Sequence, residues 1–242
     1  MKETDKIINW IRKYFEENGK GCKAVIGISG GLDSSLCVAL LTKALGKENV
    51  IGVLMPQGKQ WDIHVSYDIC NILGIKYYEI NIGETASALA KEVSDKLELD
   101  ANSYDIYKTN TPARIRMATL YGICGILGGR VVNTCNLSED YVGYNTKFGD
   151  GAGDFSLLSS FTKTECRELA REIGLPERFI IKVPEDGMSG KSDEEKLGFT
   201  YEVLDHYIRT GEIDDLKTKE RIDRLHHINL HKLLPMPGYI KE

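Results

Sequence analysis

The residues that most clearly suggest chemistry form a short loop, Ser29-Gly30-Gly31-Leu32-Asp33-Ser34-Ser35. An apolar, β-branched run at 24–28 precedes the loop and predicts a buried strand, and apolar residues at helical spacing from 34 to 45 predict a helix after it. A strand that turns through two glycines into a helix brings free N–H groups and the positive end of the helix dipole to one point. The loop therefore predicts a site for phosphate.

The loop carries an acid where the common phosphate-binding loop of NTPases carries a lysine. Asp33 stands beside the hydroxyls of Ser29, Ser34 and Ser35. A carboxylate next to bound phosphates needs a cation between them, and Mg²⁺ prefers carboxylate and phosphate oxygens. The loop thus predicts a complex of Mg²⁺ with a nucleotide. The alternative is a plain glycine turn in which Asp33 only favours the helix dipole.

A second stretch with unusual composition lies at 136–154, directly after a predicted strand at 130–134. It is rich in glycines, acids, aromatic residues and hydroxyls. In open α/β sheets, ligands bind beyond the carboxyl ends of the strands. We therefore expect its charged residues on the same rim as the glycine loop, namely Glu139, Lys147, Asp150 and Asp154. The alternatives are a solvated surface loop and, for Glu139, a surface salt bridge.

Two lysines could supply positive charge to a phosphate or to a transition state. Thr162 predicts the start of a helix that continues to 173, which puts Lys163 in its first turn. A lysine there opposes the helix dipole, and a phosphate at the same helix end would offset that cost. Lys163 and Lys147 are therefore candidates for charge stabilisation. For either lysine alone, the alternative is a solvated surface residue.

The remaining sequence alternates strands and helices around these residues. An apolar run predicts a strand at 50–55, and alternating side chains predict another at 76–82. Helical spacing predicts helices at 4–18, 62–73, 84–99, 111–127, from 192 onward and 214–230. Short strand–helix–strand units imply parallel pairs with right-handed crossovers. The prediction is an α/β, Rossmann-like open parallel sheet flanked by helices, in one domain over residues 1–242.

Composition excludes several other classes of protein. The formal net charge is −5, which argues against a nucleic-acid-coating protein. The sequence has no run of 18 apolar residues and no apolar segment behind its charged first residues, so we expect a cytoplasmic protein without a membrane partner. Six cysteines without a C-x-x-C pair indicate reduced, buried thiols. The histidines lack the spacing of a zinc site.

The sequence resembles the ammonia-dependent NAD synthetases, which belong to the N-type ATP pyrophosphatases. The pattern S-G-G-x-D-S at 29–34 is shared by several pyrophosphatase families, whereas the stretch 136–154 is specific to this one. The matching blocks are Gly27–Ser35, Ala113–Met117, Asn136–Glu139, Gly143–Asp150, Phe161–Lys163, Ser192–Glu195 and His231–Lys232. The resemblance implies an adenine nucleotide α-hydrolase-like fold and no glutaminase domain.

The resemblance also implies a role for each matched residue. It implies Mg²⁺ ligands at Asp33 and Glu139, and catalytic roles for Asp33, Lys163 and Lys147. It implies ATP contacts from Gly27, Ile28, Ser29, Gly30, Gly31, Leu32, Asp33, Ser34, Thr134 and Lys163. It implies contacts to deamido-NAD from Arg114, Lys147, Asp154, His231 and Lys232. The family also implies a homodimer.

One block departs from the family pattern. Glu185-Asp186-Gly187 stands where many members have Thr-Ala-Asp after the proline that corresponds to Pro184. Ser189 and Ser192 are the candidates to replace the ATP contact of that threonine.

The implied reaction is the amidation of deamido-NAD by ammonia, with ATP cleaved to AMP and pyrophosphate. Two alternatives stay open. A tRNA-modifying enzyme of the same loop class would usually have paired cysteines and a basic surface, which this chain lacks. A nucleotide-binding regulator would bind ATP without consuming it.

Overall fold

We describe the protein from a computed structural model, which describes residues 1–98, 101–182 and 192–240. Its first half contains helices α1 (Glu3–Asn18), α2 (Leu32–Leu45), α3 (Ile63–Leu73), α4 (Gly83–Lys96) and α5 (Ala101–Leu127), and strands β1 (Lys23–Gly27), β2 (Val50–Leu54) and β3 (Lys76–Glu79). Its second half contains strands β4 (Gly129–Asn133) and β5 (Phe155–Ser156), and helices α6 (Leu137–Val142), α7 (Lys163–Ile173), α8 (Glu177–Ile180), α9 (Asp193–Leu197), α10 (Tyr201–Thr210) and α11 (Leu216–Leu233).

The strands form one parallel sheet in the order β3-β2-β1-β4-β5, which confirms the predicted fold class. In the register, Val25 at the centre of β1 lies opposite Ile51 of β2 and Val131 of β4. β2 and β3 follow β1 in the sequence and lie on one side of it in the sheet, whereas β4 and β5 lie on its other side. The strand order therefore reverses between β1 and β4, and ligands of open α/β sheets bind at such a switch point.

Two hydrophobic clusters cover the two faces of the sheet. The larger cluster packs α1, α2, α3, α7 and α8 against one face. The second cluster packs α5 against the other face through residues such as Met117 and Leu120. A third cluster joins α6, α9, α10 and α11 around Tyr201 and Leu204. No helix in the described ranges is long and apolar enough to cross a membrane.

The structure corrects the predicted start of the long helix. Proline favours the first turn of a helix, so Pro112 predicts a start near 111, but α5 begins at Ala101 and passes through Pro112. An interior proline removes one backbone donor at a cost of about 3 kcal/mol. Packing of α5 on α4, β1 and β4 offsets this cost, which local sequence signals do not show.

Three smaller differences concern the strands and one short helix. β3 ends at Glu79 instead of 82, although Ile80 and Ile82 still donate backbone hydrogen bonds to Leu54 and Pro56, at 2.8 and 2.9 Å. The stretch predicted as irregular after β4 contains α6 and the two-residue strand β5. Such short elements lack the length that periodicity needs for detection.

Candidate active site at the switch point

The glycine loop between β1 and α2 is closed by its own hydroxyls. The Ser29 and Ser34 hydroxyl oxygens lie 3.0 Å apart, and Gly31 N–H donates to Ser29 Oγ at 3.3 Å. Gly31 caps α2 at its N-terminus, where no described side chain accepts a capping hydrogen bond. The first N–H groups of α2 therefore remain available to an anion. Ser35 differs from the other two serines because its buried hydroxyl has no hydrogen-bond partner among the described residues.

Gly30 makes the shape of this loop possible. Its φ is +73°, a backbone conformation that side chains with a Cβ rarely adopt. A Cβ at this position would lie 3.0 Å from the backbone nitrogen of Ser66 in α3. The loop therefore packs directly against α3 with no room for a side chain.

Asp33, Glu139 and Lys163 come together beside this loop from three different helices. Asp33 lies in the first turn of α2, Glu139 in α6 and Lys163 at the start of α7. The Lys163 ammonium donates to Asp33 Oδ2 at 2.6 Å and to Glu139 Oε1 at 3.0 Å. The lysine side chain is 3% exposed and each carboxylate 15%. The sequence-based grouping of these three residues agrees with their positions, and we call them the charged triad.

The charged triad holds two carboxylates and one ammonium, so its net charge is −1 when all three groups are ionised. Burial, aided by the neighbouring Asp33 carboxylate and opposed by the Lys163 ammonium, raises the pKa of Glu139 to about 7. Burial alone would lower the pKa of Lys163, but the carboxylates of Asp33 and Glu139 outweigh it and raise that pKa. Lys163 is therefore a cation at neutral pH, whereas Glu139 is only partly ionised there, so the net charge of the triad lies between 0 and −1.

Capping boxes fix the helices that carry Glu139 and Lys163. In α6, the Asn136 side chain accepts from Glu139 N–H while Glu139 Oε2 accepts from Asn136 N–H. Asn136 also donates to Asp33 Oδ1 at 3.2 Å. In α7, Thr162 and Glu165 form the same reciprocal pair, which confirms the predicted cap. The spacing of Asn136 and Glu139 is the sequence signal that could have predicted α6.

Lys163 has two carboxylate partners that its helix position alone does not predict. The sequence predicts that a phosphate offsets the unfavourable position of this lysine at a helix N-terminus. In the structure, the Asp33 and Glu139 carboxylates offset that cost as well, and the contact of Lys163 with phosphate stays a prediction. A ring also lies close to the lysine, because its ammonium is 5.2 Å from the centre of the buried Tyr201 side chain.

Four basic residues predicted to contact the dinucleotide form a second cluster. Arg114 on α5 donates to the Lys147 carbonyl at 3.2 Å, and the Lys147 ammonium donates to the His231 carbonyl. Lys232 donates to the carbonyls of Gly143 and Asn145, at 2.6 and 2.8 Å. We call Arg114, Lys147, His231 and Lys232 the basic cluster. It joins α5, the segment after α6 and the end of α11.

Asp154 lies apart from the rim on which the sequence placed it. Its backbone N–H donates to the Val131 carbonyl at 2.8 Å, which puts it beside the centre of β4 and not beyond its end. Its carboxylate accepts from Val131 N–H at 2.7 Å and from the Tyr121 hydroxyl at 3.3 Å. The short strand β5, absent from the sequence prediction, holds Asp154 back along the sheet. Its contact with deamido-NAD stays a prediction.

The other residues predicted to contact ATP lie mainly at the ends of β1 and β4. Gly27 ends β1, Ile28 donates to the Val53 carbonyl at 2.9 Å, and Leu32 is buried in the first turn of α2. Thr134 follows directly after β4, across the switch point from the glycine loop. Pro184 and Ser189 lie outside the described residues. Ser192 caps α9 by accepting from Glu195 N–H at 3.2 Å, so its hydroxyl already has a structural partner.

Phe148 is a feature that the sequence analysis missed. It follows Lys147 in the basic cluster, and its φ of +63° is unusual for a bulky residue. The ring is 62% exposed and lies 5.4 Å from the Lys147 ammonium. A strained backbone under an exposed ring is characteristic of ligand sites.

The fold and the site together define a class of α/β proteins with a glycine loop and a buried charged triad at the switch point of a parallel sheet. The family model described as NAD synthase matches residues 3–235. The chain is 35% identical to the NH(3)-dependent NAD(+) synthetase of Alkaliphilus metalliredigens (strain QYMF), over 98% of both chains. The chain belongs to the NAD synthase family.

Solved structures agree with this assignment. The NMN synthetase from Francisella tularensis has a TM-score of 0.87 and 30% identity, and the match covers 98% of this chain and 97% of that one. The NH3-dependent NAD synthetase from Campylobacter jejuni subsp. jejuni NCTC 11168 has a TM-score of 0.76 and 28% identity, with the same coverage. The predicted family and fold are therefore confirmed.

Proposed function

We propose that this protein is a ligase that joins ammonia to the nicotinate carboxylate of deamido-NAD, forming NAD and cleaving ATP to AMP and pyrophosphate. The charged triad beside the glycine loop is the observation that carries this proposal. A carboxylate is a poor acceptor for ammonia until one of its oxygens becomes part of a good leaving group. Transfer of AMP from ATP makes that leaving group.

In the first proposed step, a nicotinate oxygen attacks the α-phosphorus of ATP, and pyrophosphate leaves. The free N–H groups at the start of α2 face the phosphates, and the Lys163 ammonium stabilises negative charge on the departing pyrophosphate. Lys163 is suited to this because it is buried and stays positively charged. ATP binding shifts its partners from the two carboxylates toward phosphate oxygens. Thr134 faces the nucleotide across the switch point.

In the second proposed step, ammonia attacks the carbonyl carbon of the acyl-adenylate. The bond from that carbon to the AMP oxygen breaks, and one proton is released as the amide forms. No residue acts as a covalent nucleophile. The protein contributes by positioning the two substrates and by stabilising charge. We propose free ammonia as the nitrogen donor.

Asp33 and Glu139 fit a Mg²⁺ ion. Both offer hard carboxylate oxygens, and when both are ionised they exceed the positive charge of Lys163 by one unit. No group of three candidate ligand side chains occurs in the described part of the chain, so phosphate oxygens of ATP would complete such a site. When bound, Mg²⁺ supplies positive charge against those oxygens. Asp33 and Glu139 would hold it.

The basic cluster supports a dinucleotide as the acceptor. Arg114, Lys147 and Lys232 place three cations around one segment, which suits a ligand with two phosphate groups. Asp154 contacts Tyr121 of α5, which lies about two helical turns along that helix from Arg114. We therefore place the deamido-NAD between the charged triad and the outer surface of α5.

Nicotinate mononucleotide is a second candidate acceptor. It is favoured by the similarity to the NMN synthetase from Francisella tularensis, which has a TM-score of 0.87. The same adenylation and amidation would convert its nicotinate group to the amide. The acceptors differ only in their distal half, so the charged triad cannot distinguish them.

One assay tests the proposed function. Purified protein is incubated with ATP, Mg²⁺, ammonium and either deamido-NAD or nicotinate mononucleotide, and AMP, pyrophosphate and the amidated product are measured. We expect equal amounts of AMP, pyrophosphate and NAD from deamido-NAD. Amide formed only from the mononucleotide would favour the second acceptor. ATP binding without AMP formation would refute the ligase and favour a regulator.

We also propose a homodimer in the cytoplasm. The proposal is supported by large apolar side chains that α5 leaves exposed next to the proposed dinucleotide site, Ile126 above all at 83%. Exposed apolar side chains of this size commonly mark protein interfaces. Tyr121, which contacts Asp154, is another exposed residue of α5.

A further inference from the structure

Asp205 of α10 is a buried carboxylate that none of the assigned roles uses. It is 5% exposed. One of its oxygens accepts from the Ser138 hydroxyl, and the other accepts from Thr164 N–H at 2.7 Å. The Ser138 oxygen in turn accepts from Lys163 N–H at 2.9 Å. A single carboxylate from α10 therefore joins the starts of α6 and α7.

The residues held by Asp205 are the sequence neighbours of the charged triad. Ser138 precedes Glu139, and Thr164 follows Lys163. The N–H groups in the first turn of a helix have no partner within the helix, and a negative charge there is favourable. Asp205 supplies a negative charge at the start of α7, and the oxygens of Asp205 and Ser138 accept hydrogen bonds from its first N–H groups. They thereby fix the backbone of Lys163 against the helix that carries Glu139.

α10 is itself anchored firmly enough to serve this role. Leu204 and Tyr201 are buried in the third hydrophobic cluster. Arg209 donates to the Ser160 carbonyl and to Glu165 Oε1, both at 2.8 Å, and so ties α10 to α7. Tyr201 lies one helical turn before Asp205, with the Lys163 ammonium over its ring. One face of α10 thus supports both the ammonium and the backbone of Lys163.

We propose that Asp205 is a positioning residue that acts through Ser138 and Thr164 to set Lys163 relative to Glu139. The inference rests on the proposed ligase function. The Lys163 side chain must reach oxygens on two helices, so a shift at the start of α7 moves its ammonium away from the reacting phosphates. Displacements of about 1 Å in such groups can reduce a rate by about 100-fold.

The test compares Asp205→Asn with wild type at a temperature well below the unfolding midpoints of both. Asparagine keeps the size of the side chain but removes its charge and one acceptor. We expect kcat for NAD formation to fall at least tenfold, with KM for ATP and deamido-NAD within about threefold of wild type. Circular dichroism verifies that the variant is folded. A kcat within twofold of wild type would overturn the proposal.

Two controls separate positioning from general stability. Glu172 also accepts from a helix N-terminal N–H and a hydroxyl, both of Thr4, but at the far end of α7. Glu172→Gln removes a contact with the same kinds of donor from an exposed carboxylate, and we expect it to lower the melting temperature without changing kcat. Glu202→Gln removes an exposed ion pair between α10 and α7, the contact with Arg167, and we expect it also to keep kcat. An equal loss of kcat in either control would contradict a specific role for Asp205.

Ser138 provides an independent variant in case Asp205→Asn does not fold. Ser138→Ala deletes the hydroxyl through which Asp205 reaches Lys163 N–H, and we expect a similar loss of kcat. The variant that combines Asp205→Asn with Ser138→Ala should have a kcat no lower than the lower of the two single variants, because both changes interrupt the same chain of hydrogen bonds. If the fold-losses of the two single variants multiply in the double variant, the two residues act independently and the proposal is overturned. Absence of amide formation by the wild type would instead refute the ligase function itself.

Discussion

The Lys163 ammonium lies 2.6 Å from an Asp33 carboxylate oxygen, although 130 residues separate them in the sequence. The contact joins the helix that follows the glycine loop to a helix on the far side of the switch point. Glu139 adds a second carboxylate at 3.0 Å. A buried carboxylate pair that shares one ammonium is held together only while the ammonium is present.

We predict that Lys163→Met abolishes NAD formation, with kcat reduced by about 100-fold or more, because a buried charge aimed at the transition state is lost. Removing the ammonium also leaves two buried carboxylates unpaired, which should lower the free energy of unfolding by about 3–5 kcal/mol without ligands. Steady-state kinetics and urea denaturation measure the two effects.

The control is Lys91→Met, because Lys91 pairs with Asp95 on an exposed helix surface. This variant should keep kcat and change the unfolding free energy by less than about 0.5 kcal/mol. Full activity of Lys163→Met would exclude Lys163 from the reaction.

We predict that both carboxylates of the charged triad are needed for the response to Mg²⁺. EDTA should abolish NAD formation, and added Mg²⁺ should restore it. Glu139→Gln should raise the half-saturating Mg²⁺ concentration, and Asp33→Asn should raise it more, because Asp33 is itself part of the glycine loop proposed to bind the phosphates. Asp95→Asn is the surface control. Unchanged Mg²⁺ dependence in both triad variants would remove these residues from the metal site.

We predict that Gly30→Ala raises KM for ATP far more than a comparable glycine substitution elsewhere. The new Cβ would lie 3.0 Å from Ser66 N, so the loop must move away from α3. The matched control is Gly211→Ala, whose φ of +76° carries similar backbone strain but whose Cβ would contact nothing within 4 Å. Both variants should lose stability, but only Gly30→Ala should raise KM for ATP. Equal KM values in the two variants would contradict the assigned role of the loop.

We predict that binding of deamido-NAD weakens at alkaline pH through Lys232. Burial lowers the pKa of this ammonium, the Arg114 cation adds to the effect, and the Asp150 carboxylate only partly opposes it. As the pH rises, Lys232 therefore loses its proton before an ordinary lysine does, and KM for deamido-NAD should increase. Lys232→Arg keeps its charge to a higher pH and should show a flatter profile. An identical rise of KM in this variant would exclude Lys232 as the titrating group.

We predict that Ile126→Asp converts the proposed dimer to a monomer and raises KM for deamido-NAD. A charge at this exposed apolar position of α5 would have to be buried in the interface. The control is Ile181→Asp, which is also exposed but lies at the end of α8. Light scattering gives the mass of each species. A wild-type protein that is monomeric at the concentration of the assay would contradict the dimer.

The charged triad could be predicted from sequence because its members follow recognisable local signals. Asp33 follows two glycines between a strand and a helix, and Lys163 follows a capping threonine. Parallel topology alone brings such strand ends to one rim. The two ion pairs of Lys163 could not be predicted in the same way, because they depend on distances across three helices.

The residues that support the site were harder to predict. Asp205 looks like an ordinary polar residue of an amphipathic helix, and only tertiary packing brings it to Ser138 and Thr164. Asp154 was misplaced because β5 is two residues long and leaves no periodic signal. Pro112 misled the prediction because the packing that tolerates it lies in distant segments.

The most direct test of the proposed mechanism follows the carboxylate oxygens of deamido-NAD labelled with ¹⁸O. If a nicotinate oxygen attacks the α-phosphorus of ATP, one labelled oxygen must leave with AMP when ammonia displaces it. Mass spectrometry of the products should therefore find one ¹⁸O in the phosphate group of AMP and the other in the amide of NAD. Label in pyrophosphate or inorganic phosphate, or AMP without label, would contradict the acyl-adenylate.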